Sequence, residues 1–343
     1  MNAGEAMKQV GRDALARARI IAALQAFERL PQNRNTTVRD DITGPIVDAL
    51  HAGISVIRKE LSSGIAFEFP YRSKIARDFV MSVPEKPDHV WEPQTTKLLL
   101  HLSRDAKDVI VGGAYFGDQA ILIADALRGR GTCHAFEADS TQARALDHNA
   151  ALNGLTNVRV HAVALWSDTT SRLRFVGEDA LAGTRVAETG MPATTIDAYA
   201  ETTGIARVGV IMLDLEGGEL AALRGAERVL REHGPHVIFE VHRSYVDWSR
   251  GLLETEIVQF LSALGYTLFA VRDFQSNYDL TGRPIELVPI DTAVLEGPPH
   301  GFNLLAVRDR EVVEHPLFVV TPDVSPKLLF HRDPKLHHPR GGL

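Results

Sequence analysis

Three stretches of this sequence set polar side chains where apolar runs end. The first is Asp108-Val-Ile-Val-Gly-Gly-Ala-Tyr-Phe-Gly-Asp118. A β-branched run stops at three glycines and a helical pattern follows at once, which predicts a strand, a tight turn and a helix N-terminus. Glycines let a backbone approach a ligand closely, and a helix start offers unpaired N–H groups. Glu137 stands twenty residues after Gly117, at the end of the next apolar run. A carboxylate placed there can accept both hydroxyls of a ribose. The plainer alternative is that the glycines only allow helix–strand packing.

The second stretch is Val208-Gly-Val-Ile-Met-Leu-Asp214-Leu-Glu216-Gly-Gly-Glu219. A buried strand delivers Asp214 to its carboxyl end, where open α/β sheets bind ligands. Three carboxylates so close together need a helix N-terminus, a metal or a shared proton to offset their repulsion. Glu219 reads as a helix-start residue. Asp214 does not. The third stretch is Val237-Ile-Phe-Glu240-Val-His242. A period of two puts Glu240 and His242 on one face at the strand tip. His242 is a candidate general base, because imidazole titrates near neutrality.

These residues need a sheet to hold them. Strands read at about 108–113, 132–137, 158–165, 208–214, 237–241, 266–271 and 302–307. Helical patterns fill 118–129, 140–152, 218–232 and 253–264. Such alternation predicts a parallel sheet covered on both faces, an α/β fold. Residues 1–90 lack this rhythm. They read as helices at 3–30 and 44–51, a hairpin turning at Gly64, and a short helix at 74–81. This appendage would be a lid or a dimerisation arm that makes the protein a homodimer. The domain that carries the three stretches would occupy 91–320, and 321–343 would be a tail whose His331, His337 and His338 are better read as solvated than as metal ligands.

The 343 residues carry a net charge of −7, which argues against nucleic acid as a partner. No apolar run approaches the ~18 residues of a membrane helix, so no membrane partner is expected. Ile20–Leu24 is too short for a signal-peptide core. The single cysteine, Cys133, excludes an intrachain disulfide and reads as a small buried hydrophobe. Together these features predict a cytoplasmic protein.

The glycines at 112, 113 and 117 do not make the G-x-G-x-x-G dinucleotide turn. The looser turn suits S-adenosylmethionine, whose amino-acid end carries one carboxylate in place of a pyrophosphate. The motifs then carry a resemblance. Glu92, Gly113-Ala-Tyr-Phe-Gly117, Ala135-Phe-Glu137, Asn153-Gly154-Leu155, Ala164-Leu165, Thr194-Thr-Ile-Asp197, Leu213-Asp-Leu-Glu-Gly-Gly-Glu219 and Phe239-Glu-Val-His242 resemble the FkbM family of S-adenosylmethionine-dependent methyltransferases. The likeness covers roughly 91–270, and Asp-x-Glu-Gly-x-Glu is its most distinctive part. It implies a Rossmann-like seven-stranded class I methyltransferase sheet whose last strand is antiparallel. It also implies O-methylation of a sugar or natural-product intermediate. One departure stands out: Val111 occupies a position that is usually acidic in the family, and Asp118 could compensate.

On this reading Gly113, Ala114, Tyr115 and Gly117 hold the methionyl portion, and Glu137 with Ala138 holds the ribose. Ala162 and Val163 border the adenine, and Asp214 closes the cofactor site. The partner is a small molecule bearing a hydroxyl. Its proton would pass to Asp214, Glu216 or His242, or Asp214 and Glu240 would hold Mg²⁺ to lower its pKa. The hairpin at 54–69 and the segment 273–300 are candidate lid elements, with Phe274, Tyr278 and Phe302 as acceptor contacts. The alternatives are an NAD(P)-dependent oxidoreductase, which the missing dinucleotide turn disfavours, and a non-catalytic S-adenosylmethionine-binding homologue, which Val111 keeps open.

Overall fold

Buried, β-branched runs make the strands and set the site. A computed structural model describes residues 2–33, 36–71, 74–176, 183–274, 277–295 and 301–328. The tail histidines lie outside the described residues. The chain forms two compact units, one of Met1–Pro93 with Phe274–Thr281 and Leu328–Leu343, the other of Gln94–Asp273 with Gly282–Lys327.

In the first unit, α1 (Ala3–Gly11) and α2 (Ala14–Glu28) replace the single helix expected over 3–30. Asp13 causes the break: its carboxylate accepts from Leu15 and Ala16 N–H at 2.8 and 3.1 Å, which starts a new helix. Helix α3 (Gly44–His51) follows, then the antiparallel hairpin of β1 (Ile57–Glu60) and β2 (Ala66–Phe69), with Gly64 at φ +86° as expected. Phe67 and Phe69 pack on Phe79 of α4 (Lys74–Val80). Phe274 packs with Leu280 and Leu328, and Tyr278 stacks on it at 4.6 Å. These two rings serve packing of the first unit.

The second unit opens with α5 (Pro93–Ser103), whose first residue belongs to the first unit. Next come β3 (Asp108–Gly112), α6 (Ala120–Ala126), β4 (Thr132–Phe136), α7 (Ser140–Leu152) and β5 (Val158–His161). Short strands β6 (Ala164–Leu165), β7 (Arg172–Val176), β8 (Gly183–Ala187) and β9 (Met191–Thr194) form a separate small sheet. Then follow α8 (Ile196–Thr203), β10 (Val208–Leu213), α9 (Glu219–Arg224), α10 (Glu227–Glu232), β11 (His236–Val241), α11 (Glu256–Ala263) and β12 (Thr267–Val271). The last strands are β13 (Ile285–Pro289), β14 (Phe302–Val307) and β15 (Phe318–Val320).

The main sheet has nine strands in the order β15-β13-β12-β14-β11-β10-β3-β4-β5. The five from β11 to β5 are parallel. Strand β14 lies antiparallel between β11 and β12. The expected seven-stranded class I pattern is therefore present, and β13 and β15 widen it by two strands. The segment 273–300, expected as a lid element, instead supplies β13, the strand next to the sheet edge. A buried ion pair holds that edge: Arg272 Nη1 reaches both Glu286 oxygens at 3.2 and 3.1 Å, and its Nε donates to the Ser325 carbonyl.

The helix expected over 218–232 breaks at Gly225 and Ala226. A Cβ on Gly225 would stand 2.1 Å from the Trp166 carbonyl, so close packing decides that position. Polar side chains on β3, β4 and β5 are joined through Tyr199 of α8. His134 bonds Asp108 and Tyr199, and the Tyr199 hydroxyl reaches His161, all at 2.7–2.8 Å. Cys133 is buried, as expected. Among the described residues no helix is long and apolar enough to cross a membrane.

Candidate active site

The chain leaves β3 for β4 on one side and reaches β10 on the other, so the strand order reverses between β3 and β10. Ligand crevices form outside the carboxyl ends of strands at such a point. The turn after β3 and the loop after β10 meet there.

The turn after β3 runs through three left-handed residues, Gly113 at φ +74°, Tyr115 at +47° and Gly117 at +97°. Only glycine adopts this backbone at little cost, so Tyr115 must be held. Glu137 holds it. One carboxylate oxygen accepts from Tyr115 N–H at 2.9 Å and the other from Asp139 N–H at 2.8 Å. The glycines at 113 and 117 also serve packing. A Cβ on Gly113 would meet the Asp214 carbonyl oxygen at 1.7 Å, and one on Gly117 would meet Ile121 at 2.7 Å. They allow the two tips and the following helix to pack.

In the loop after β10, Glu216 sits at φ +50° and Gly217 at +90°. Strained non-glycine residues persist only where their surroundings over-determine them. Thr184 of β8 supplies that constraint: its N–H donates to the Glu216 carbonyl and its hydroxyl to the Leu215 carbonyl, both at 3.0 Å. Glu219, buried at the start of α9, accepts from Leu215 N–H at 2.6 Å. The helix-start role expected for it is present.

Five carboxyl groups, Asp118, Glu137, Asp214, Glu216 and Glu219, converge closely enough to feel one another. Burial raises Asp118 to about 7, with Asp214 adding to the effect. Burial and then Asp214 raise Glu216 to about 7. Burial lifts Glu219 to about 8 and shifts Glu137 upward. The protein packed around Asp214 raises its carboxyl above the usual carboxylate range, though the residue keeps an open side. Clustered carboxyls of this kind favour a cationic ligand.

Val111 is buried in β3, paired with Met212 and Ala135, so its position contributes no charge to the site. Asp118 supplies a carboxyl facing Asp214 instead. Ala114 is buried within the turn, Ala138 packs against the small sheet, Ala162 is exposed past β5, and Val163 rests on the main core.

His242 does not suit a base. Its Nδ1 accepts from Ser244 N–H at 3.0 Å. A neutral ring accepting there carries its proton on Nε2, so neither nitrogen is open to receive one. Glu240 accepts from the Tyr245 hydroxyl, and among the described residues no group of three or more His, Cys, Asp or Glu side chains could hold a metal ion. The Mg²⁺ pairing of Asp214 with Glu240 gains no support. Phe302 packs against Trp248 in the core.

Sequence reasoning missed Thr184 and Tyr245. The Tyr245 ring covers the loop: a Cβ on Gly217 would stand 2.9 Å from it. Neither residue lies in a motif, and both reach the loop through pairing or turns far along the chain.

Residues 112–268 match the methyltransferase FkbM domain. No curated protein matches the chain. Among solved structures, the chain is similar to the methyltransferase FkbM from Methylobacillus flagellatus KT, with 16% identity and a TM-score of 0.37 over 59% of this chain and 44% of that one. The chain thus spans less than half the length of that structure. It is also similar to the O-methyltransferase TomG from Streptomyces achromogenes, involved in tomaymycin synthesis and solved with S-adenosylmethionine, with 15% identity and a TM-score of 0.37 over 69% of this chain and 91% of that one. An O-methyltransferase from Bacillus cereus, solved with S-adenosylhomocysteine, gives 15% identity and a TM-score of 0.38 over the same shares.

Proposed function

From the methyltransferase FkbM domain that residues 112–268 carry, we infer that this S-adenosylmethionine-dependent methyltransferase acts on a hydroxyl oxygen of a small molecule. The observation that carries the reading is the meeting of the Glu137-braced turn with the Asp214–Glu219 loop. The residues present fit the cofactor. Glu137 uses one lone-pair site of each oxygen on backbone N–H groups, and a carboxylate has about four such sites. It keeps capacity for two ribose hydroxyls. The carboxyls of Asp118 and Asp214 suit the positive end of the methionine portion, near the turn of Gly113, Ala114, Tyr115 and Gly117.

When bound, S-adenosylmethionine supplies an electrophilic methyl on a sulfonium. The protein must hold an acceptor oxygen about 3–3.5 Å from that carbon, on line with the breaking bond. It must also take the hydroxyl proton, since an alcohol is a poor nucleophile at neutral pH. Glu216 supports this role best. Burial and then Asp214 push its carboxyl up to about 7, and Thr184 fixes its backbone. Ala162 and Val163, after β5, flank the adenine in this reading. Neither nucleic acid nor a membrane is a partner.

Methyl transfer from labelled S-adenosylmethionine to a panel of sugars and polyketide-type alcohols, with and without Mg²⁺, tests the proposal. Product ethers formed by wild type and lost in Glu216→Gln support it. Label on nitrogen or carbon acceptors alone would overturn the oxygen assignment.

A further inference from the structure

The opposite end of the sheet holds a cavity of about 380 Å³. Leu102 and Ala106 form its apolar part, and Lys107, Arg207 and His236 its basic part, with Asp105 as the one lining acid. The sheet itself puts these cations together. Lys107 immediately precedes β3, Arg207 immediately precedes β10, and His236 begins β11. These strands are parallel neighbours, with Val208 opposite Asp108 and Val210 opposite His236. A basic residue therefore stands at or just before the amino end of each of three adjacent strands.

Like charges held together are costly unless an anion lies among them. Among the described residues, neither Lys107 nor Arg207 has an ion pair or a side-chain hydrogen bond, and neither carries an interaction of any other kind that would occupy it. Other arginines of this unit are paired: Arg128 with Asp125, Arg224 with Glu256, Arg231 with Glu227. The ring of His236 has its Nδ1 buried with no hydrogen-bond partner. Burial, then Arg207, lowers its basicity, with Asp309 opposing and His101 adding to the fall. A buried polar atom left without a partner is expensive, and a ligand oxygen would satisfy it.

We propose that this cavity is a second ligand site, remote from the methyl-transfer site, that takes a phosphate group as free phosphate or as the end of a phosphomonoester. Arg207 offers a planar fork for two phosphate oxygens, Lys107 a point charge, and His236 a ring N–H. Two fixed cations match a dianion better than a single carboxylate. Leu102 and Ala106 leave an apolar wall for the carbon part of an ester.

The test is calorimetric titration with inorganic phosphate and with glycerol 3-phosphate, at constant ionic strength balanced with chloride. Imidazole resonances of His236, assigned with a His236→Gln variant, are followed by NMR in parallel. Saturable binding is expected, weakened about tenfold or more in Lys107→Glu/Arg207→Glu. The His236 resonances should shift on binding, and affinity for S-adenosylhomocysteine should not change. Tighter binding of glycerol 3-phosphate would identify the phosphomonoester as the ligand, and equal binding the free ion. Binding no tighter in wild type than in the double variant, or His236 resonances that stay fixed in wild type at saturating phosphate, would overturn the proposal. The NMR readout on wild type decides the matter even if the double variant folds poorly.

Discussion

Gly113 and Asp214 lie so close that a Cβ on the glycine would meet the Asp214 carbonyl oxygen at 1.7 Å. Two strand tips are joined there, and the carboxyl groups of both loops are brought to one place. Gly113→Ala should therefore destabilise the protein beyond the ~1–2 kcal/mol of a left-handed alanine, because the Asp214 backbone must also move. Urea unfolding should show a lower midpoint than for Gly154→Ala, a left-handed site with open space around it. Equal midpoints would contradict the packing account.

The carboxyl cluster makes stability depend on pH in an unusual direction. Asp118, Glu216 and Glu219 have folded values of about 7, 7 and 8, above their unfolded values. The folded protein thus holds protons that the unfolded chain has released. Their stabilisation is complete below about pH 4 and is lost as pH rises through 7 to 8. Melting temperature of the ligand-free protein should fall over that window. In Glu219→Gln, which keeps an acceptor for Leu215 N–H, the fall should be shallower.

Thr184 ties the small sheet to the strained Glu216. Thr184→Val removes only the hydroxyl bond to Leu215 and should cost about 0.5–1.5 kcal/mol in denaturant titration. Methyl transfer should fall further than cofactor affinity, since the bond lies beside the proposed proton acceptor and not beside Glu137.

The edge pair is a stricter test of the wider sheet. Arg272→Met takes the guanidinium away from the buried Glu286 carboxylate and should destabilise by about 3–5 kcal/mol. Adding Glu286→Leu should restore much of that loss. An Arg272→Met protein as stable as wild type would mean that β13 does not depend on the pair.

Asp108–Gly112 and Val208–Leu213 were legible because each is a short run rich in β-branched residues that ends at a glycine or an acid. The carboxylates at strand tips were legible for the same reason. What was not legible depends on contacts far apart in sequence. Ile285–Pro289 is a short run in a polar segment, and its place in the sheet rests on Arg272 and on β15. Gly225 looks helical until Trp166 is laid against it. His242 has the right chemistry for a base, and only the turn at Ser244 reveals that its ring is engaged. Within the glycine turn, Gly113 also makes room for the neighbouring strand tip, which the sequence does not reveal.

The most direct measurement is calorimetric titration with S-adenosylhomocysteine and, separately, with NADH, on wild type and Glu137→Ala. The account predicts saturable binding of S-adenosylhomocysteine, weakened at least about tenfold in the variant, because bonds to a charged group are worth about 1.5–3 kcal/mol each. It predicts no binding of NADH. Binding of NADH alone, or S-adenosylhomocysteine affinity unchanged in Glu137→Ala, would contradict it.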